Sequence, residues 1–190
     1  MKKTSFVASL LVAGALGGAA AGASADVGIG TQFDGMNTYG INVPIRLGAI
    51  TIEPEIISSS DSEKYHNATS GNNQQWGGSN TSVGTGIYLR KEVAPSTEIY
   101  YGARVGMYSW NNKNTSPGFY YSDKESGYYL APTVGAEYFF VKKVSIGLDL
   151  GLNYSKGTEK LVVPSWFAGT DTYDRTSLST TTRLMLRAYF

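Results

Sequence analysis

The chain has 190 residues, no cysteine, and 16 Lys and Arg against 15 Asp and Glu, for a formal charge of +1. That length fits one domain, the missing cysteine excludes disulfide and thiolate chemistry, and the balanced charge offers a nucleic acid nothing to hold. Its 23 glycines and 14 tyrosines favour strands and turns over helices.

The first residues stand apart. Lys2 and Lys3 precede an apolar run from Phe6 to Gly22, and Ala23-Ser24-Ala25 forms a small-residue cleavage triplet. This is the pattern of a secretory signal peptide over residues 1–25, too short and too rich in glycine and alanine for a membrane anchor. The expected mature domain is residues 26–190. Losing Lys2 and Lys3 leaves 14 basic against 15 acidic side chains, a charge of −1.

No later stretch approaches the roughly 18 apolar residues of a membrane helix. The chain alternates instead with period two, the mark of strands whose two faces differ. In order, the segments are Val27–Phe33, Tyr39–Leu47, Ile50–Ile56, Ser82–Arg90, Glu98–Tyr108, Tyr128–Phe139, Val144–Tyr154 and Thr180–Phe190. Pro44, Pro54 and Pro132 interrupt three of them, where a ladder bond is lost or a bulge is expected. Short connectors fall around Gly48, at Ala94-Pro95 and at Val141-Lys142-Lys143, and the remaining connectors are polar and mostly long. Eight strands joined by short turns at one end and longer loops at the other predict an all-β, antiparallel, up-and-down transmembrane barrel with periplasmic turns and extracellular loops.

A soluble barrel would turn its apolar face inward, whereas a membrane barrel turns it to lipid. Glycine and charge decide for the second. Ten glycines, among them Gly84, Gly102 and Gly135, share the parity of the polar face. Bulk water gives no reason for that, while a crowded eight-stranded lumen does. The same face carries the acids Glu53, Glu55, Glu98, Glu137 and Asp149, and the bases Arg46, Arg90, Arg104, Arg183 and Arg187. Every base there is arginine, whose planar fork suits buried pairing with carboxylates. All eight lysines of the mature chain fall in turns, loops or strand ends. The ten charges are therefore expected to form a packed structural network that plugs the lumen. Aromatics near strand ends, such as Tyr39, Tyr128, Phe140 and Phe190, suit two interfacial girdles.

With these features the chain resembles the small OmpA/OmpX-like outer-membrane β-barrel domain family, over its whole mature length. The most specific element is the last strand, Thr180–Phe190, ending in an aromatic. In that family such a strand is similar to the signal read by the barrel-assembly machinery, which implies this role for Phe190. Two departures stand out: the last eight residues hold no glycine, and Ala188 sits where a larger apolar residue is usual. A peptidoglycan-anchoring extension of the OmpA type is not expected after Phe190.

The sequence offers little catalytic chemistry. The single histidine, His66, lies in the expected second external loop near Asp61, Glu63 and Ser70, and this does not resemble the strand-borne histidine and serine of lipid A deacylases. No catalytic set, cofactor site or metal set is expected. Trp76, Trp110 and Trp166 are placed in external loops, as packing residues or as anchors for an extracellular ligand. The reading is a non-enzymatic barrel of the bacterial outer membrane that acts through its external surface. Its partners would be membrane lipid, the assembly machinery and an extracellular ligand of unknown identity, with no nucleic acid. A narrow channel and a lipid A-modifying enzyme stand as alternatives.

Overall fold

A computed structural model of the chain describes residues 25–34, 38–66, 73–116, 119–162 and 170–190. The signal-peptide segment up to Ser24, Ser70 and Trp166 lie outside the described residues. All regular structure among the described residues is strand, in the order β1 (Ala25–Phe33), β2 (Thr38–Asn42), β3 (Ile45–Leu47), β4 (Ile50–His66), β5 (Asn73–Ala94), β6 (Thr97–Ser116), β7 (Phe119–Val141), β8 (Val144–Val162) and β9 (Thr170–Tyr189).

β2 and β3 are one strand with a break at Val43-Pro44. β1 pairs Gly30 with Asn42 and Val27 with Ile45, so no residue is gained or lost across the break. Proline has no N–H to give the ladder, but its neighbours keep theirs. Gly28 N donates to Pro44 O at 2.8 Å, and Val43 N donates to Pro54 O at 2.9 Å. Pro132 leaves a similar gap, with β7–β8 pairing passing from Leu130–Tyr154 to Thr133–Gly151.

From β4 onward each strand pairs antiparallel with the next, and β9 returns to β1 through Gly28–Tyr189 to Phe33–Leu184. The sheet is therefore a closed barrel with eight staves. Phe190 N donates to Val27 O at 2.9 Å, which ties down the last residue. The short connectors are two-residue turns. Gly48 takes φ +62°, and Ser96, after Pro95, takes φ +61°, a left-handed conformation that costs a residue with a Cβ.

The long external loops expected after Ile56, Tyr108 and Tyr154 are mostly strand. β5, β6, β7 and β9 run 22, 20, 23 and 20 residues. A tilted strand crosses a bilayer in about 9–11 residues, so roughly half of each of these four strands lies beyond the belt, whereas β1, at 9 residues, has no such extension. Trp76 and Trp110 accordingly sit on β5 and β6, and His66 ends β4 opposite Asn73. The physical reason lies on the outer face. Ile56, Val83, Met107 and Tyr128 are cross-strand neighbours in one row, and the next row along is Ser58, Thr81, Ser109 and Ser126. Past that boundary both faces are polar, so no apolar period marks the strands that continue.

Candidate functional site

The lumen is filled from the staves inward. Parity points Glu53 and Glu55 of β4, Arg90 of β5, Glu98 and Arg104 of β6, Glu137 of β7, Asp149 of β8 and Arg183 and Arg187 of β9 to one axis, with Arg46 of β3 beside them. One continuous run of ion pairs joins all ten. Starting at the turn end, Arg46 reaches Glu98 at 2.5 Å, Glu98 meets Arg90 at 3.0 Å, and Arg90 pairs with Glu137. Glu137 also meets Arg187 at 3.1 Å, and Arg187 reaches Glu53 at 2.5 Å. Arg104 then binds Asp149 at 2.6 Å, Glu55 at 3.3 Å and Glu53 at 3.6 Å. Arg183 closes the run on Glu55 at 3.0 Å.

Uncharged lumen residues complete these groups. Tyr129 and Gln32 donate to Glu55 at 3.0 and 3.1 Å, and Tyr189 and Ser145 donate to Glu137. Tyr88, Tyr100 and Met185 are fully buried between the charges. Arg104 lies over the Tyr88 ring at 5.3 Å and Arg90 over Tyr100 at 5.0 Å, so cation–π contact supplements the ion pairs. Glycine makes this possible. A Cβ on Gly135 would strike the Tyr100 ring, and one on Gly84 the Tyr129 hydroxyl. The parity of Tyr88, Tyr100 and Tyr129 with the arginines was the signal for these neutral partners.

Beyond Arg183 and Tyr129 the lumen opens into a cup of about 430 Å³, walled by the strand extensions. Tyr108 and Trp110 of β6 line it with Asn80 of β5, Glu125 of β7, Asn153 of β8 and Arg175 of β9. Tyr108 donates to Glu125 Oε1 at 2.5 Å, and Arg175 lies 3.5 Å from the other oxygen. Asp123, next along β7 on the same face, is buried. Burial first, and then the Glu159 and Glu125 carboxylates, push its own carboxyl up to about 6. Sequence reasoning missed this cup because it took the walls for loops. Carrying strand parity onward, from Glu137 to Glu125 and from Arg183 to Arg175, would have found it.

Of the other singled-out positions, Asp61, Glu63 and Trp76 line a second hollow nearer the tip, which Trp110 borders as well. Asp61 and Glu63 lie on β4 near its tip, and Trp76 faces them in the β4–β5 pairing at Glu63. No group of three or more His, Cys, Asp or Glu among the described residues is arranged to hold a metal ion.

Compared by sequence, the chain matches no family model and no curated protein. By structure, it is similar to a major outer membrane protein of Thermus thermophilus, with 13% identity, a TM-score of 0.59, and coverage of 87% of this chain and 98% of that one. It is also similar to Neisserial surface protein A, with 12% identity, a TM-score of 0.51, and coverage of 87% and 94%. These likenesses show the fold, which is the small antiparallel barrel of outer-membrane proteins.

Proposed function

We propose that the chain is exported with cleavage near Ala25 and resides in the bacterial outer membrane as a non-enzymatic, plugged barrel. Its strand extensions rise from the cell surface and carry its interactions. The observation that supports this best is the double polarity change: an outward apolar belt of membrane height surrounds a lumen filled by paired charges, and above it both faces turn polar. Belt and plug suit a scaffold held in lipid. An extension polar on both sides suits water. Phe190, at the turn end of the last stave, is read as the address for the assembly machinery.

The chain has no cysteine, so single thiols can report sidedness. Lys113→Cys lies on the extension of β6, and Lys143→Cys lies in the β7–β8 turn. On intact cells a membrane-impermeant maleimide should label the first, and the second only after permeabilisation. The reverse pattern, or equal labelling, refutes the orientation. Folded protein that runs as one species boiled and unboiled, and needs no detergent, refutes the membrane reading.

A narrow channel is the second reading. It draws on lumen atoms that accept or donate no bond within the protein, including Tyr88 OH, Arg90 Nη2 and Arg187 Nε. Such atoms suit bound water among the charges. Discrete conductance steps in planar bilayers would support this reading over the plug, and a silent bilayer would favour the plug. For the enzyme reading, His66→Ala should leave lipid A composition unchanged.

A further inference from the structure

The cup at the mouth has a chemistry that the lumen below it does not. The lumen network satisfies charge with charge, in direct contact. In the cup the polar groups are mostly amides and hydroxyls, with Asn80, Asn153, Ser82, Ser155 and Ser177 turned to one space. Asn80 Oδ1 and Asn153 Oδ1 are both buried and accept no hydrogen bond from the protein. They belong to β5 and β8, on different sides of the barrel, and line the same cavity.

The lining charges balance: Asp34 and Glu125 against Arg175 and Arg183. Behind them Glu55 already holds Arg183, Glu159 approaches Arg175 and Asp123 lies beside Glu125, so the cup has no surplus of positive charge with which to hold an anion. Glu125 is held in place by Tyr108 on one oxygen, while its second oxygen has only the long 3.5 Å approach of Arg175. That second oxygen is available to accept from a hydroxyl. Trp110 and Tyr108 supply aromatic surface on the same stave. Trp110 pairs with Asn80 on one side and with Glu125 on the other, so its ring stands in the same row as two of the cup's polar groups.

Unpartnered amide oxygens, a positioned carboxylate, balanced guanidinium donors and an aromatic plate select one ligand class. That class has many hydroxyl donors, no net charge and an apolar C–H face. We propose that the cup binds a neutral saccharide of mono- or disaccharide size, which suits a cavity of about 430 Å³. The sugar lays one face on Trp110, gives hydroxyl hydrogens to Glu125 and, with a turn of their side-chain amides toward the cup, to Asn80 and Asn153, and accepts from Arg175. This inference rests on the reading of the extensions as the interacting surface and names what they would take.

The test uses the full mature protein, refolded in a detergent without a sugar headgroup, such as a dimethylamine oxide. Glucose, N-acetylglucosamine, maltose and lactose are titrated singly, with inorganic phosphate and glucose 6-phosphate as charged comparators. Saturation-transfer NMR reads binding. At least one neutral sugar should bind saturably, and both Trp110→Ala and Asn153→Ala should weaken it tenfold or more. Each variant is first shown to keep the different migration of boiled and unboiled samples. No saturable signal from any neutral sugar overturns the proposal, as does preference for the charged probes. A signal unchanged in both variants overturns it as well. The thiol-labelling pattern is read separately, so a sidedness failure and a sugar-binding failure are distinguishable.

Discussion

Arg104 is where the plug can be tested most sharply. Its side chain is 1% exposed and touches three carboxylates at once. Two of these have other arginines, since Glu53 pairs with Arg187 and Glu55 with Arg183. Asp149 is different: Arg104 is the guanidinium it meets, and its Oδ1 already accepts no bond. Arg104→Met removes the charge, keeps most of the stem's volume, and leaves Asp149 as a buried anion facing no cation. Breaking one side of a buried pair costs about 3–5 kcal/mol. Arg104→Met/Asp149→Asn takes five acids and five arginines to four and four, so it should recover most of that loss, with a coupling of about 1–3 kcal/mol. The measurement is urea unfolding in lipid vesicles, followed by tryptophan fluorescence and by the unboiled band on a gel. A single variant within about 1 kcal/mol of the parent, or a double variant no better than the single, refutes the idea of a charge-balanced plug.

Three further outcomes follow from local geometry. Gly102→Ala puts a Cβ into the carbonyl oxygen of Ile87, a backbone atom that cannot step aside, so unfolding by urea should come earlier by about 1–3 kcal/mol. Ser96→Gly relieves the left-handed turn at φ +61°. The strain removed outweighs the added freedom of the unfolded chain, for a gain of about 0.5–1 kcal/mol in the same assay. For Asp123 the folded value of about 6 lies above the ordinary 3.8, so the folded form takes up a proton between the two. Stability tied to this group is therefore present at low pH and falls as pH rises through about 6. Asp123→Asn should make the difference in Tm between pH 5 and pH 8 smaller than in the parent, and an unchanged difference refutes the assignment.

The belt and the lumen were legible because each stave there has unlike faces. Ile99, Tyr101, Ala103, Val105 and Met107 against Glu98, Tyr100, Gly102, Arg104 and Gly106 is a period-two signal that only a strand with two environments produces. Staves could be counted, turns placed and ten charges assigned to one side. What the pattern could not show was where the strands stop. At Ser58, Thr81, Ser109 and Ser126 the outer face becomes polar in one row, and the signal ends although the hydrogen-bonded ladder does not. Serine, threonine, asparagine and glycine are also the residues of loops. Composition therefore pointed to connectors where the backbone is paired strand. The cup was hidden for the same reason, since its walls were mistaken for loops. Pro44 misled in the smaller sense: proline ends a regular ladder, yet register is the same on both sides of it.

An extension polar on both faces buries little apolar surface, so its own cohesion comes from backbone pairing and from closure onto the stave beneath it. A two-stranded ribbon is marginal in water, and these ribbons persist because each is flanked on both sides down to the belt. It follows that the belt and plug fold without the tip of the β4–β5 ribbon, while the tip depends on them. Ser60 and Ser79 face each other across that ribbon. Replacing residues 61–78 by an Asn-Gly turn joins the two strands at that row, where a two-residue hairpin fits the twist. The excision touches none of the ten lumen charges and no residue of the row from Ile56 to Tyr128. The trimmed protein should insert into vesicles, keep its heat-modifiable migration, and unfold within about 1 kcal/mol of the parent, as expected where no core packing or buried pair is lost. Failure to fold, or a loss comparable to that of Arg104→Met, would mean that stability runs from the extension downward, and would refute the division into a lipid-held scaffold and a dependent polar surface.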